Sequence, residues 1–314
     1  MKKLGLMAAT FVIGLTVGIP GSADAQQLRF MTGPQGGAWY PLGGAIQNMA
    51  AETMGANIIV MPGGGIANIQ GVQNGDADLA FGNSISTVDA VHGREPFDGE
   101  ADNVCNIATL YPQYFQMVVP AGSGIRSVED FKGRRLVTQP VGNTAEQVIR
   151  MVLDVAGLSY DDMSAIDYVS YSDGVSLVQD GNADIFTLGT TVPSSAIMDL
   201  ANSRDIFVVP LTDEALEEMI ARNAGFVSLT IPAGAYPGQE DDVLAAGYAT
   251  HLVARCDLDE DLIYGIVEQI WEKRDELISI ASAMRNMTLE DMAIDNGVPM
   301  HPGAQRYYQE NGVM

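Results

Sequence analysis

Basic side chains are scarce in this chain: 16 Lys and Arg stand against 40 Asp and Glu, a formal net charge of −24 at pH 7. After residue 25 only Lys132 and Lys273 remain as lysines. A surface this acidic repels nucleic acid and anionic lipid, so both are excluded as partners. An anionic ligand would have to be captured by local groups against the field of the whole chain. We read the lysine-poor acidity as suited to salty surroundings. Cysteine is nearly absent as well; Cys105 and Cys256 lie far apart in the chain, and the sequence leaves open whether they meet.

Enzyme signatures are missing. There is no Gly-x-Ser-x-Gly elbow, no His-Glu-x-x-His and no phosphate loop ending in Gly-Lys-Ser/Thr. His92, His251 and His301 are scattered, which suits structural or solvated roles. Asp257, Asp259, Asp261 and Glu268 have calcium-loop spacing, but Leu262 stands where glycine is needed, and a helix start explains the acids more simply. We therefore expect no catalysis, no metal and no cofactor.

Long apolar runs are confined to the start. Lys2 and Lys3 precede the run from Leu4 to Ile19, Pro20 and Gly21 break it, and Ala23-Asp24-Ala25 offers an Ala-x-Ala cut before Gln26. Residues 1–25 are expected to be a cleaved secretory leader. The competing reading, an uncleaved anchor, needs roughly 20 unbroken apolar residues. No cysteine follows the cut, which argues against a lipid anchor. The remaining chain is expected in the periplasm, with net charge −25 once Lys2, Lys3 and Asp24 are gone from the −24 total.

One pattern occurs twice. Residues 72–83 (Val72-Gln73-Asn74-Gly75-Asp76-Ala77-Asp78, then Leu79 to Asn83) and 178–189 (Val178-Gln179-Asp180-Gly181-Asn182-Ala183-Asp184, then Ile185 to Gly189) share a grammar. Each reads as a helix end, a glycine that stops it, an Ala-Asp pair and a short buried strand. Before the first copy come strands at Leu28 to Thr32 and Ile58 to Met61, and a helix from about Tyr40 to Met54. Before the second come strands at Arg135 to Gln139 and Ile166 to Tyr171, with a helix whose apolar face is Val148, Val152 and Val155. Two α/β units with right-handed crossovers follow. Ile107 to Tyr111 and Phe115 to Val119 look extended and interrupted by Pro112; Pro193 begins a helix; Ile231 to Gln239 reads as loop; Val243 to Val253 returns the chain to the first unit.

In open α/β sheets ligands bind beyond the carboxyl ends of the strands. Glycine-rich turns there, followed by helix N-termini, hold a carboxylate without Lys or Arg. This places Trp39, Tyr40, Asn68, Asn83 and Ser84 on one wall of a site, facing Asn143, Thr144, Thr187, Gly189 and Thr190 on the other.

Gly36-Gly37-Ala38-Trp39-Tyr40-Pro41-Leu42-Gly43-Gly44-Ala45 resembles the Gly-Gly-x-Tyr-Tyr-Pro-x-Gly-Gly opening of the TAXI family, the immunogenic-protein branch of solute receptors for TRAP transporters. Further matches lie at Gly75-Asp76-Ala77-Asp78-Leu79-Ala80, Leu110-Tyr111-Pro112, Ile231-Pro232-Ala233-Gly234-Ala235-Tyr236-Pro237-Gly238-Gln239 and His301-Pro302-Gly303-Ala304, with Tyr307-Tyr308 near the end. Trp39 stands where tyrosine is usual, and Asn83-Ser84 and Val141-Gly142-Asn143-Thr144 are variants of the family's turns. The resemblance implies a two-lobed, type II-like periplasmic-binding-protein fold, each lobe a mostly parallel sheet flanked by helices, joined by a hinge. Lobe I would comprise 26–116 and 244–314, and lobe II 117–243. It implies capture of a glutamate, glutamine or 2-oxoglutarate-like solute by lobe closure and delivery to the permease subunits of a TRAP transporter. It places Tyr40, Asn68, Ser84, Asn143 and Thr144 in the cleft. The rivals are a receptor for an ATP-driven importer or sensor kinase, and an enzyme on the same scaffold.

Overall fold

The computed structural model describes residues 27–33 and 38–314. Residues 1–25, where a secretory leader is expected, and most of the first glycine-rich turn, including Gly36 and Gly37, lie outside the described residues. Among the described residues no helix is long and apolar enough to cross a membrane.

The first α/β unit runs β1 (Leu28–Met31), α1 (Trp39–Met54), β2 (Ile58–Met61), α2 (Gly65–Gln73), β3 (Leu79–Asn83) and α3 (Ser84–Val91). The strands pair in parallel, β1 lying between β2 and β3. A 17-residue strand, β4 (Val104–Pro120), leads to the second unit. That unit runs β5 (Arg135–Thr138), α4 (Thr144–Val155), β6 (Ala165–Tyr168), α5 (Tyr171–Gln179), β7 (Ile185–Thr190), α6 (Ser195–Ser203), β8 (Ile206–Val208), α7 (Asp213–Arg222) and β9 (Phe226–Ile231). Here β5 lies between β6 and β7, again in parallel. The 13-residue β10 (Val243–Arg255) returns the chain, and α8 (Glu260–Glu272), α9 (Arg274–Ile280), α10 (Leu289–Met292) and α11 (Pro302–Glu310) close it.

The expectation of two mostly parallel sheets holds within each unit, but the strands form one 10-stranded mixed sheet, eight of them in the order β2-β1-β3-β10-β4-β7-β5-β6, with β8 beside β4 and β9 beside β10 off that path. Two long antiparallel strands do the joining. The far half of β10 pairs with β3 and its near half with β9, while β4 pairs with β10 from Val104 to Tyr114 and with β7 from Tyr114 to Val118. They are the hinge of a two-lobed, type II-like architecture.

The two extended pieces expected around Pro112 are therefore one strand. Proline breaks a central strand by removing a ladder donor. Pro112 escapes this because β7 pairs only with Tyr114 and beyond, leaving the proline a neighbour, Ala249 of β10, on one side alone. β9 was not anticipated, since Ser228 and Thr230 interrupt its apolar pattern; β10 supplies its partner, from Val243 against Ile231 to Tyr248 against Phe226. The strand expected to reach Tyr171 stops at Tyr168, because Ser170 caps α5 by accepting from the Asp173 N–H at 3.2 Å. The helix expected at Pro193 starts two residues later, at Ser195. Asp259 caps α8, accepting from the Leu262 N–H at 2.9 Å, which accounts for the acidic run.

The repeated pattern has a physical core. In the first copy Gly75 takes φ 76°, and Asp78 accepts from the backbone N–H of Arg29 at 2.8 Å and from its Nε at 3.1 Å. In the second Gly181 takes φ 72°, and Asp184 accepts from the N–H of Arg135 at 2.9 Å and from its Nε at 3.1 Å. Each aspartate ties the strand it introduces to the first strand of its unit, 49 residues away in both cases.

Separate cores serve the two ends. Leu42, Phe30, Phe81, Ile107 and Ile266 pack with Met284, Met292 and Tyr308 at one. Phe115, Phe131, Ile149 and Met219 cover one face of the other, and Phe186, Ile197 and Tyr236 its opposite face. Cys105 and Cys256 form a disulfide, Cα to Cα 5.1 Å, clamping the start of β4 to the chain just after β10.

Candidate functional site

Between the two units lies a cavity of about 270 Å³. Its position follows from chain direction: β3 and β7 both run toward it and end there, with Asn83 from one and Gly189 and Thr190 from the other. The hinge strands supply Tyr111, Gln113 and Tyr248. The first residues of four helices complete it: Trp39 of α1, Gly65 of α2, Thr144 and Ala145 of α4, and Tyr171 of α5. Helix N-termini present unpaired N–H groups and the positive ends of helix dipoles.

No lysine, arginine, histidine, aspartate or glutamate is among the described lining residues. The cavity is instead rich in amides and hydroxyls. Asn83 is fully engaged, its Oδ1 accepting from Gln113 Nε2 at 3.1 Å while its Nδ2 donates to Thr144 Oγ1 at 2.9 Å. Gln113 also donates to Thr250 Oγ1 at 2.6 Å. Tyr171 donates to the Gly189 carbonyl at 2.9 Å, and burial pushes its hydroxyl up to about 12, so it remains a neutral donor. Burial raises Tyr111 and Tyr248 in the same direction. Trp39 stacks on Phe81, ring centroids 5.6 Å apart, which fixes one apolar wall. Gly65 lies against Thr144: a Cβ there would stand 2.6 Å from its Oγ1, so glycine is what lets α2 and α4 approach.

Gln139 differs from its neighbours. It is 8% exposed and lines the cavity, yet its Nε2 has no hydrogen-bond partner. A buried amide donor left unpaired costs about 1–3 kcal/mol, and this nitrogen, closed to solvent as it stands, would meet a ligand's acceptor on turning toward the cavity.

Of the residues singled out from the sequence, Trp39, Asn83, Asn143, Thr144, Gly189 and Thr190 line this cavity. Asn68, Ser84 and Thr187 lie behind it, with their side chains committed elsewhere. Asn68 donates to the carbonyls of Thr32 (2.7 Å) and Phe81 (2.8 Å) and accepts from the Gly64 N–H at 2.9 Å, tying β1, β3 and the turn before α2 together. Ser84 donates to the Gly225 carbonyl at 2.7 Å and accepts from the Ala249 N–H at 2.9 Å. Thr187 donates to the Val137 carbonyl at 3.1 Å. Tyr40 is half-buried and is not among the lining residues. Sequence reasoning passed over Gln113, Gln139, Tyr111, Tyr171 and Tyr248. Gln139 was within reach, as the last residue of an expected strand; the tyrosines required the path of the hinge.

A mixed sheet in two units, crossed by two long strands and enclosing a cavity at the strand ends, defines the two-lobed periplasmic-binding-protein class. An ancestral arginine-binding protein bound to arginine is similar in fold, with 15% identity over 82% of this chain and 97% of that one and a TM-score of 0.50. A Xanthomonas citri protein bound to chloride ion matches at 13% identity, 90% and 95% coverage and a TM-score of 0.52. The periplasmic aliphatic sulphonate binding protein SsuA of Escherichia coli matches at 16% identity, 90% and 78% coverage and a TM-score of 0.49. Residues 30–312 match the model of the NMT1-like family. The chain belongs to that family.

Proposed function

We propose that this protein is a secreted, periplasmic solute receptor, with lobe I at 26–116 and 244–314 and lobe II at 117–243, serving the membrane permease subunits of a TRAP-type secondary transporter. It captures a small organic acid or amino acid of the glutamate, glutamine or 2-oxoglutarate kind by closing its lobes, and it does no chemistry on it. The resemblance of its glycine, tyrosine and proline motifs to the TAXI branch supports the transporter class. The observation that carries the binding role is the buried, unpartnered Nε2 of Gln139 in a cavity ringed by helix N-termini. A carboxylate oxygen would satisfy that donor and the helix ends at once, without the lysine or arginine that the cavity lacks. Bound solute, touching Trp39 on one lobe and Asn143 or Thr190 on the other, would favour the closed form.

Denaturing the purified protein and identifying any released small molecule by mass spectrometry tests the reading directly. Recovery of a small acid that rebinds, with rebinding lost in Gln139→Leu, is the expected result. A recovered ligand whose affinity ignores Gln139, Asn143 and Thr190 alike would move the site elsewhere. A receptor for an ATP-driven importer would share this fold, and a neighbouring gene for a large TRAP membrane subunit distinguishes the two.

A further inference from the structure

Tyr111, Tyr171 and Tyr248 all line the cleft, but their hydroxyls are not equally free. Tyr171 donates to the Gly189 carbonyl at 2.9 Å, and Tyr111 has Thr250 and Trp39 beside its oxygen. Tyr248, in the middle of β10, differs. It is 1% exposed, and burial with the nearby Tyr171 raises its hydroxyl well above the ordinary tyrosine value, no hydrogen bond contributing. Among the described residues its proton has no acceptor. Nor is the oxygen sealed, for the polar atoms that are both partnerless and closed to solvent do not include it.

Gly189 shows which way this hydroxyl faces. A Cβ on Gly189 would overlap the Tyr248 oxygen and would stand 3.3 Å from the Cβ of Ala145. Gly189 and Ala145 both line the cleft, and neither lines the larger cavity that Tyr248 also borders. The oxygen therefore opens on the cleft, beside the first turn of α4. Gly189 lies within β7 and its φ is not positive, so its backbone conformation does not call for glycine. The space taken by the hydroxyl does. Glycine inside a strand leaves no side chain to pack, and it often marks a close approach of this kind.

The adjoining helix end supplies further donors. Asn143, at the N-cap of α4, makes no side-chain cap, and the first intrahelical bond runs from the Gln147 N–H to the Asn143 carbonyl at 3.3 Å. The N–H groups of Thr144, Ala145 and Glu146 precede that bond and have no partner within the helix. A neutral hydroxyl donor thus joins the positive end of a 12-residue helix in a cavity whose described lining holds no charged side chain.

We propose that Tyr248 is a specificity-determining residue of the cleft, its hydroxyl donating to a carboxylate oxygen of the solute that also meets the first N–H groups of α4. Gly189 is the residue that admits this hydroxyl. The inference rests on the reading of the cleft as the site of a small acid. A carboxylate accepts from all these donors at once, whereas an ammonium in its place would meet the positive end of the helix.

Calorimetric titration of the purified protein with glutamate, glutamine and 2-oxoglutarate, and of variants with whichever binds tightest, tests the assignment. Tyr248→Phe is expected to bind that solute about tenfold to a hundredfold more weakly, with the thermal midpoint of the solute-free protein unchanged or raised. Gly189→Ala is expected to lose affinity and to melt earlier, because its Cβ displaces the hydroxyl. Combining the two substitutions removes the overlap and leaves the ring Cζ 3.1 Å from the new Cβ. The midpoint should then recover while affinity stays at the level of Tyr248→Phe. Wild-type affinity in Tyr248→Phe, or its return in the double variant, would overturn the role of the hydroxyl and leave the solute reading standing. Failure of all three compounds to bind the wild type would overturn both.

Discussion

The Nδ2 of Asn83 donates to the Oγ1 of Thr144 at 2.9 Å, joining the end of β3 to the start of α4 across the cleft. Ser86 Oγ lies 3.0 Å from the same hydroxyl, and Gln147, one turn further along α4, donates to Asp89 at 2.7 Å. Under the proposed closure mechanism these contacts form only when the lobes shut. Thr144→Val removes the acceptor and leaves Asn83 Nδ2 buried and unpaired, at a cost of about 1–3 kcal/mol that falls only when the lobes are shut. The expected outcome is a solute Kd raised about tenfold with the thermal midpoint of the solute-free protein little changed. Equal affinity in the two proteins would mean that this bond does not govern closure.

Gln139 separates function from stability. Its buried Nε2 has no hydrogen-bond partner, so replacing it by leucine relieves an uncompensated burial. Gln139→Leu is expected to unfold at the same or higher denaturant concentration than the wild type while losing solute affinity at least about tenfold. A destabilised variant would show that the amide has a structural partner; a variant with intact affinity would remove Gln139 from the site.

How much of this could be read from the chain depends on which interactions are local. The duplicated segment was legible because an αL glycine, an Ala-Asp pair and a buried strand leave marks within a dozen residues, and Asp78 with Arg29 and Asp184 with Arg135 show what the marks are for. Asn83, Thr144 and Thr190 followed from the rule that sites lie beyond strand ends. Asn68 and Ser84 are as polar as true lining residues, but their hydrogen bonds run to Thr32, Phe81 and Gly225, partners that only the folded chain supplies. Tyr111, Gln113 and Tyr248 were illegible because their direction depends on β4 and β10 passing one another at the hinge, and Pro112 disguised that passage as a break.

His251 imposes a pH dependence. It is fully buried between Thr87 and Asn296, and burial lowers it from 6.5 to about 3. Between these values the unfolded chain takes up a proton that the folded chain refuses, so stability falls as pH falls, by up to about 1.4 kcal/mol per pH unit from this group. Above pH 6.5 the group contributes no slope. Unfolding free energies measured from pH 7.5 to 4.5 should show a shallower acid decline in His251→Gln than in the wild type. Parallel curves would assign the acid sensitivity to other groups.

The disulfide acts on the unfolded chain. Cys105 and Cys256 are 151 residues apart, and a link of that span removes much conformational freedom from the denatured state. Cys105→Ala with Cys256→Ala is expected to lower unfolding free energy by about 2–5 kcal/mol while leaving solute affinity within about twofold, since neither residue lines the cleft. A large loss of affinity would show that the clamp at the base of the hinge strands also sets the lobe angle.

Salt tests the meaning of the charge. At net −24 for the full sequence, and −25 without residues 1–25, the chain repels itself, and added salt shortens the screening length from about 10 Å at 0.1 M to about 3 Å at 1 M. The same salt weakens favourable pairs such as Arg222 with Glu218 and Arg306 with Asp261, but those are exposed, and exposed pairs contribute about 0–1 kcal/mol each. Arg29 and Arg255 pair with the buried carboxylate of Asp78, and partly buried pairs of this kind are screened less than exposed ones. Relief of repulsion should therefore outweigh loss of pairing, and the thermal midpoint should rise between 0.1 and 1 M potassium chloride, roughly the interval over which screening contracts to side-chain dimensions. Chloride is the right anion, because sulfate stabilises most proteins by exclusion from their surface. A midpoint that stayed level or fell would mean that the acidic residues are spaced widely enough for the chain to bear its charge at low salt.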